Sequence, residues 1–156
     1  MKTAYILCFI FITACQQLPE KNNKRVYIQK VQPLRLSEHA VSVKIPLIIP
    51  EPFHIQANPA SHNYLIATRL SFSPKPGVVF SELKYPAGES YLLEGSADTL
   101  MVYDGLTGIN LVITHPQEVS KYDLVLEGTL HYQACDHKSC FPPESQSISV
   151  DLSNTF

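Results

Sequence analysis

The sequence predicts an all-β domain, and three observations carry that expectation. Helix signals are nearly absent: twelve prolines are scattered along the chain, and β-branched and aromatic residues dominate between them. Apolar residues recur at every second position, the period of a strand with one buried face. Turn chemistry separates the apolar runs, as in Pro74-Lys75-Pro76-Gly77, Pro86-Ala87-Gly88 and Asp104-Gly105.

The first segment reads as a targeting leader and not as part of the fold. Lys2 supplies a positive charge, and Tyr5 to Ile12 form an apolar run too short to cross a bilayer as a mature helix. The run ends in Ile12-Thr13-Ala14-Cys15, which resembles the lipobox of bacterial lipoproteins. The resemblance implies a signal peptide over residues 1–14, cleavage before Cys15, and acylation of the Cys15 thiol. An ordinary secretory leader cut nearby is the alternative. One acyl chain gives marginal membrane attachment and two or more hold stably, so a multiply acylated Cys15 would be an anchor. Cys8 leaves with the leader. Residues 15–24 form a lipidated cysteine with a polar tether, and residues 25–156 form one domain. That domain has about 130 residues, enough for a single core.

Within the domain Val41, Val43, Ile45, Leu47 and Ile49 alternate with mostly polar or small partners until Pro50 and Pro52 break the run. Tyr64 to Phe72, Val78 to Tyr85, Leu100 to Tyr103 and Ile109 to Ile113 are further strands, and the last is Ile148 to Leu152 with Ile148, Val150 and Leu152 inward. This many short strands at such spacing suggests a β-sandwich of the immunoglobulin-like kind. A parallel α/β architecture is disfavoured because no amphipathic helix separates the strands.

The clearest strand runs from Tyr122 to Ala134. Tyr122, Leu124, Leu126, Leu130 and Tyr132 share one face with Gly128 and Ala134, while Asp123, Val125, Glu127, Thr129, His131 and Gln133 occupy the other. Period two places Cys135 on this second, polar face, and the expectation is that its sulfur is reachable. Cys140 follows a four-residue turn, so the two thiols can face each other across a hairpin within disulfide reach. Pro142 and Pro143 then hold the chain extended as it leaves.

A structural staple and an exchanging redox pair both remain open on these residues. A ring this small is worth roughly 2 kcal/mol in the chain-entropy model, against about 4.7 for a hundred-residue loop. The hairpin already holds the two strands together, which favours a redox role. His131 and His137 lie near the thiols, but four convergent zinc ligands are not evident and no metal or other cofactor is expected. A Cys-His nucleophile lacks an orienting group. His39, His54, His62 and His115 read as packing or surface residues. Asp136 and Lys138 pull the thiol pKa values in opposite directions, so neither cysteine stands out as the nucleophile. The net charge is −2 with acids and bases interspersed, and no basic field suggests nucleic acid.

The stretch Tyr132-Gln133-Ala134-Cys135 through Cys140-Phe141-Pro142-Pro143 is similar to the cysteine motif of the N-terminal periplasmic domain of the DsbD family of thiol:disulfide interchange proteins. Phe53-His54-Ile55-Gln56-Ala57-Asn58, Leu65 to Leu70, Lys84-Tyr85-Pro86 and Val102-Tyr103-Asp104-Gly105 resemble other family segments in the same order. The resemblance implies an immunoglobulin-like sandwich whose cysteines accept electrons from a membrane-embedded thiol reductase and pass them to periplasmic thioredoxin-like proteins. It implies that Cys135 and Cys140 are the redox pair, with Cys140 the one that forms mixed disulfides. It further implies a cap loop at Val102, Tyr103 and Asp104, with Tyr103 or else Val102 shielding the sulfurs. The chain would be a stand-alone lipoprotein version, on the periplasmic side of a bacterial membrane. Gln16 after Cys15, in place of an acid, points to the outer membrane. The alternative function is a lipid-anchored binding module with a purely structural disulfide.

Overall fold

A computed structural model describes residues 24–95, 97–114, 124–153 and 155. The leader, Cys15 and most of the tether lie outside the described residues, as do His115, Tyr122 and Asp123. No helix among the described residues is long and apolar enough to cross a membrane.

The longest strands are those with the cleanest alternation. β3 spans Ala40–Ile49, and all five of its alternating aliphatic residues are buried. It pairs antiparallel along its whole length with β9, Gly105–Thr114, which buries Ile109, Leu111 and Ile113. Short strands complete this sheet: β1 (Tyr27–Ile28) and β2 (Leu34–Arg35) pair with β3, and β6 (Val79–Phe80) pairs with β9.

The facing layer holds two further sheets. β10 (Val125–Tyr132) lies between β12 (Glu144–Asp151) and β5 (Arg69–Phe72). A four-stranded sheet runs in the order β11 (Ala134–Cys135), β4 (His54–Gln56), β8 (Thr99–Tyr103) and β7 (Glu89–Leu92). β10 runs into β11 with only Gln133 between them, so one stretch of chain contributes to both sheets. Leu126, Leu130, Tyr132, Ile148 and Val150 from this layer meet β3 and β9 in a shared core, to which Ile55, Tyr103 and Ala134 also belong. The result is the expected all-β, immunoglobulin-like sandwich. The inward set Ile148, Val150 and Leu152 is buried as the alternation requires.

Two expected strands are shorter than their apolar runs. Of Tyr64 to Phe72, only Arg69–Phe72 is a strand. The backbone before it is satisfied by side chains in place of a ladder: Ile66 N–H donates to Gln133 Oε1 at 2.9 Å, and Asn58 Nδ2 donates to Thr68 O at 2.8 Å. Of Val78 to Tyr85, only Val79–Phe80 is a strand, followed by an isolated bridge from Lys84 to Asn110. Phe80 pairs with Ile113, so an extra residue separates the two contacts on this edge, and the bulge interrupts the ladder.

β8 and β9 belong to different sheets and are joined by Asp104 alone. Gly105 makes that crossing possible with a φ of +51°, a left-handed conformation that costs glycine little.

Candidate functional site

The strand pair β11–β4 builds the site. Ala134 pairs with Ile55 and Cys135 with His54. Directly paired residues project to the same face of a sheet, and successive residues to opposite faces. Ile55 and Ala134 therefore point into the main core, and His54, Gln56 and Cys135 point to the opposite side. Gln56 pairs onward with Val102, and Tyr91 of β7 pairs with Leu100 of β8. His54, Gln56, Leu100, Val102 and Cys135 are all buried, so this sheet carries a second closed layer on its outer face.

That layer corrects one expectation. Cys135 lies on the face opposite Tyr132 and Ala134, as its phase requires, but its exposure is 0%. The polarity of β10 does not continue past Gln133, because β11 has joined a different sheet whose outer face is covered. Cys140 is the partly exposed member of the pair. It opens onto a hollow of about 320 Å³ lined also by Tyr64, Leu65, Leu93, Leu100 and Asp98.

The hairpin that joins the cysteines is held at its turn. Asp136 Oδ1 accepts from the backbone N–H groups of Lys138 (2.8 Å) and Ser139 (2.9 Å), and Asp136 N–H donates to Ser139 O. Those bonds hold the Asp136 carboxyl below its usual range. Phe141 N–H donates to Ala134 O at 2.8 Å, so Cys135 and Cys140 form the non-hydrogen-bonded pair between two hydrogen-bonded ones. In this position side chains approach closest, and the Cys135–Cys140 disulfide joins strands whose Cα atoms are 3.9 Å apart.

The strand leaving the hairpin is pinned by aromatic and ionic contacts. The Arg25 guanidinium lies 3.9 Å from the Phe141 ring centroid and 5.6 Å from that of Phe53. Arg25 also pairs with Glu144, and Glu144 Oε2 accepts from the Tyr132 hydroxyl at 3.1 Å. Burial, with the nearby Glu144 carboxylate, pushes the Tyr132 hydroxyl well above its ordinary pKa.

Polar groups beneath the sulfurs come from β4. Gln56 Nε2 donates to Cys135 Sγ at 3.2 Å. The His54 ring packs against Tyr91 with centroids 4.0 Å apart, and its Nε2 has no hydrogen-bond partner. Burial lowers the His54 pKa, against the opposing pull of the Asp104 and Asp136 carboxylates. His131 faces away along β10, with Nδ1 2.8 Å from Ser145 Oγ, and His137 is exposed in the turn. Among the described residues no group of three or more His, Cys, Asp or Glu side chains gathers to hold a metal.

The three residues of the expected cap separate in space. Val102 lies in the layer that holds the sulfurs, as the cross-strand neighbour of Gln56. Tyr103 turns into the main core, where its hydroxyl accepts from Asn58 N–H (2.9 Å) and donates to Pro86 O (3.1 Å). Asp104 is exposed. His54 is the packing residue its sequence context suggests, and Gln56 belongs to a family-like segment that carries no role for it. Their shared face was readable from period two, but not that Cys135 would dock against it.

A family model described as the N-terminal region of the thiol:disulfide interchange protein DsbD matches residues 36–152. The chain belongs to this family. Thiol–disulfide exchange is the chemistry that membership in the DsbD N-terminal family supports, and the chain carries the disulfide such exchange requires. Among solved structures, the N-terminal periplasmic domain of ScsB from Proteus mirabilis matches with a TM-score of 0.54 and 12% identity, over 86% of this chain and 49% of that one. This chain thus spans about half of that structure's length. The GAE domain of yeast GGA1 matches at a TM-score of 0.48 and 13% identity, over 81% of this chain and 91% of that one. The GAE domain of GGA2p from Saccharomyces cerevisiae matches at 0.46 and 12%, over 82% and 88%. No curated protein matches the chain.

Proposed function

We propose that this DsbD N-terminal family member is a periplasmic electron carrier held to a membrane by a lipid on Cys15. The observation that carries the reading is the asymmetry of the disulfide: Cys135 is sealed and Cys140 opens onto an apolar hollow. An incoming thiolate must reach a sulfur, and Cys140 Sγ is the one it can approach. The attack forms a mixed disulfide at Cys140 and releases Cys135 as a thiolate. The partner's second thiolate then displaces Cys140 from the mixed disulfide. The partner leaves oxidised, and the carrier holds two thiols.

In the forward direction Cys140 attacks a substrate disulfide, and Cys135 closes back onto Cys140 to expel the reduced substrate. The electron donor is a membrane-embedded thiol reductase, and the acceptors are thioredoxin-like proteins of the same compartment. The periplasmic location of the ScsB domain supports this placement, and the residue after Cys15 favours the outer membrane. We assign the shielding role within the cap segment to Val102, which shares the buried layer of Gln56, since Tyr103 faces the other way.

The test is a trap. A Cys135→Ser protein, left with Cys140, accumulates a mixed disulfide with a partner in periplasmic extracts. No adduct with either single-cysteine variant would defeat the proposal. The near-complete cover over Cys135 favours a second reading, a structural disulfide in a binding module. That reading requires a reduction potential below about −300 mV, which equilibration with glutathione measures directly.

A further inference from the structure

Gln56 is fully buried, yet its amide has poor partners. Nε2 lies 3.2 Å from Cys135 Sγ and 3.8 Å from Cys140 Sγ, and Oε1 has no hydrogen-bond partner. The residue's backbone is held in place on both sides. Its backbone N–H donates to Gln133 O at 3.1 Å, and its carbonyl accepts from Thr68 N–H at 3.2 Å and Thr68 Oγ1 at 2.6 Å. A buried polar atom without a partner is costly, and a neutral sulfur is a weak acceptor. The oxidised state is therefore the one in which this side chain is worst served.

Breaking the disulfide changes what Gln56 faces. A thiolate at Cys135 is a charged acceptor for the Nε2–H group, and a thiol at the same atom is a donor for Oε1. We propose that Gln56 is a catalytic residue of the exchange reaction, stabilising Cys135 as the leaving sulfur. The proposal rests on the reading that the Cys135–Cys140 bond is the one exchanged. When a partner thiolate attacks Cys140 Sγ, its electron pair makes the new sulfur–sulfur bond. The pair of the old bond moves to Cys135 Sγ, which holds the negative charge beside the Gln56 N–H until a proton from solvent neutralises it. Cys135 then turns its S–H to the Gln56 oxygen. The unpartnered Oε1 gains a donor, and the weakly bonded Nε2–H a charged acceptor, only after the bond has opened.

The leaving sulfur's basicity governs how fast a disulfide is attacked, and a sulfur held as a thiolate leaves faster. Gln56→Met keeps the length of the side chain and removes both hydrogen-bonding atoms. Gln56→Glu keeps the shape and replaces the donor with a second oxygen. The measurement is the rate of reduction of the full-length chain by dithiothreitol at pH 8, with thermal unfolding to establish that each variant is folded. Both variants are expected to be reduced roughly tenfold more slowly or worse, the loss of one hydrogen bond to a charged group. In a background with Cys8, Cys15 and Cys140 all replaced by Ser, the absorbance titration of the Cys135 thiolate is expected to move to higher pH with Gln56→Met.

A merely structural glutamine would not move that titration. Rates within about threefold of wild type in a folded variant, with an unmoved titration, would overturn the proposal. Should Gln56→Met fail to fold, Gln56→Glu decides alone. The exchange reading fails separately: a wild-type disulfide that small thiols reduce and no thioredoxin-like protein touches would sink that reading while leaving the effect of Gln56 on Cys135 measurable.

Discussion

Cys135 and His54 are direct partners across the β11–β4 ladder, and both are shut away from solvent at 0% and 2% exposure. The disulfide therefore has an inner sulfur on a closed layer and an outer one at a hollow. Reactivity should divide in the same way. With oxidised glutathione, the Cys135→Ser protein should form its adduct on Cys140 roughly tenfold or more faster than the Cys140→Ser protein does on Cys135. Mass spectrometry of timed samples checks this, and equal rates would place both sulfurs within reach of solvent.

The same closed layer makes stability depend on pH through His54. Its folded pKa is lowered, so between that value and the ordinary histidine value of about 6.5 the unfolded chain binds more protons than the folded one. Stability is complete above that ordinary value and is lost as pH falls towards the folded one. Thermal midpoints should drop on acidification below about pH 6.5, and His54→Phe should flatten that part of the curve. An unchanged slope in the variant would remove His54 as the cause.

Tyr103 acts from the core side. Tyr103→Phe leaves Asn58 N–H and Pro86 O without their partner, at a cost of about 1–3 kcal/mol. Because the ring faces away from the sulfurs, the rate of disulfide reduction should stay within about twofold, less than the effect of one hydrogen bond. Denaturant unfolding and a reduction assay separate these two outcomes. A faster reduction with normal stability would restore Tyr103 as a shield.

Gly128 sits where the β10 sheet leaves no room for a Cβ. A Cβ there would stand 2.6 Å from Ser71 O and 2.9 Å from Phe72 Cδ1, and the first of these is backbone that cannot swing aside. Gly128→Ala should destabilise the domain by about 1–3 kcal/mol, read as a lower urea midpoint with an unchanged slope.

Reduction of the disulfide should cost little. The ring closed by Cys135 and Cys140 is small, and Asp136 caps its turn independently of the sulfurs. The reduced protein should stay folded, less stable by about 2 kcal/mol. A protein that unfolds on reduction would make the bond a staple and not an exchanging pair.

Much of this fold was readable from strict alternation. The five aliphatic residues of β3 and the inward set of β12 are buried as period two demands, because one face of each strand must meet the opposite layer. The cysteine motif, a local pattern, was legible with its spacing and its family. The lengths of β5 and β6 were not, since Gln133, Asn58 and a bulge near Lys84 decide where those ladders stop. Nor was the burial of Cys135. Alternation assigns a residue to a face of its own strand, but it says nothing of what covers that face. The crossing at Gln133 delivers Cys135 to a second sheet, whose outer side is closed by residues up to 81 positions earlier in the chain, counting from Cys135 back to His54. Which sulfur is exposed, and which glutamine waits beside it, were decided by strand pairing between distant segments, a property of the assembled sandwich and of no single stretch of sequence.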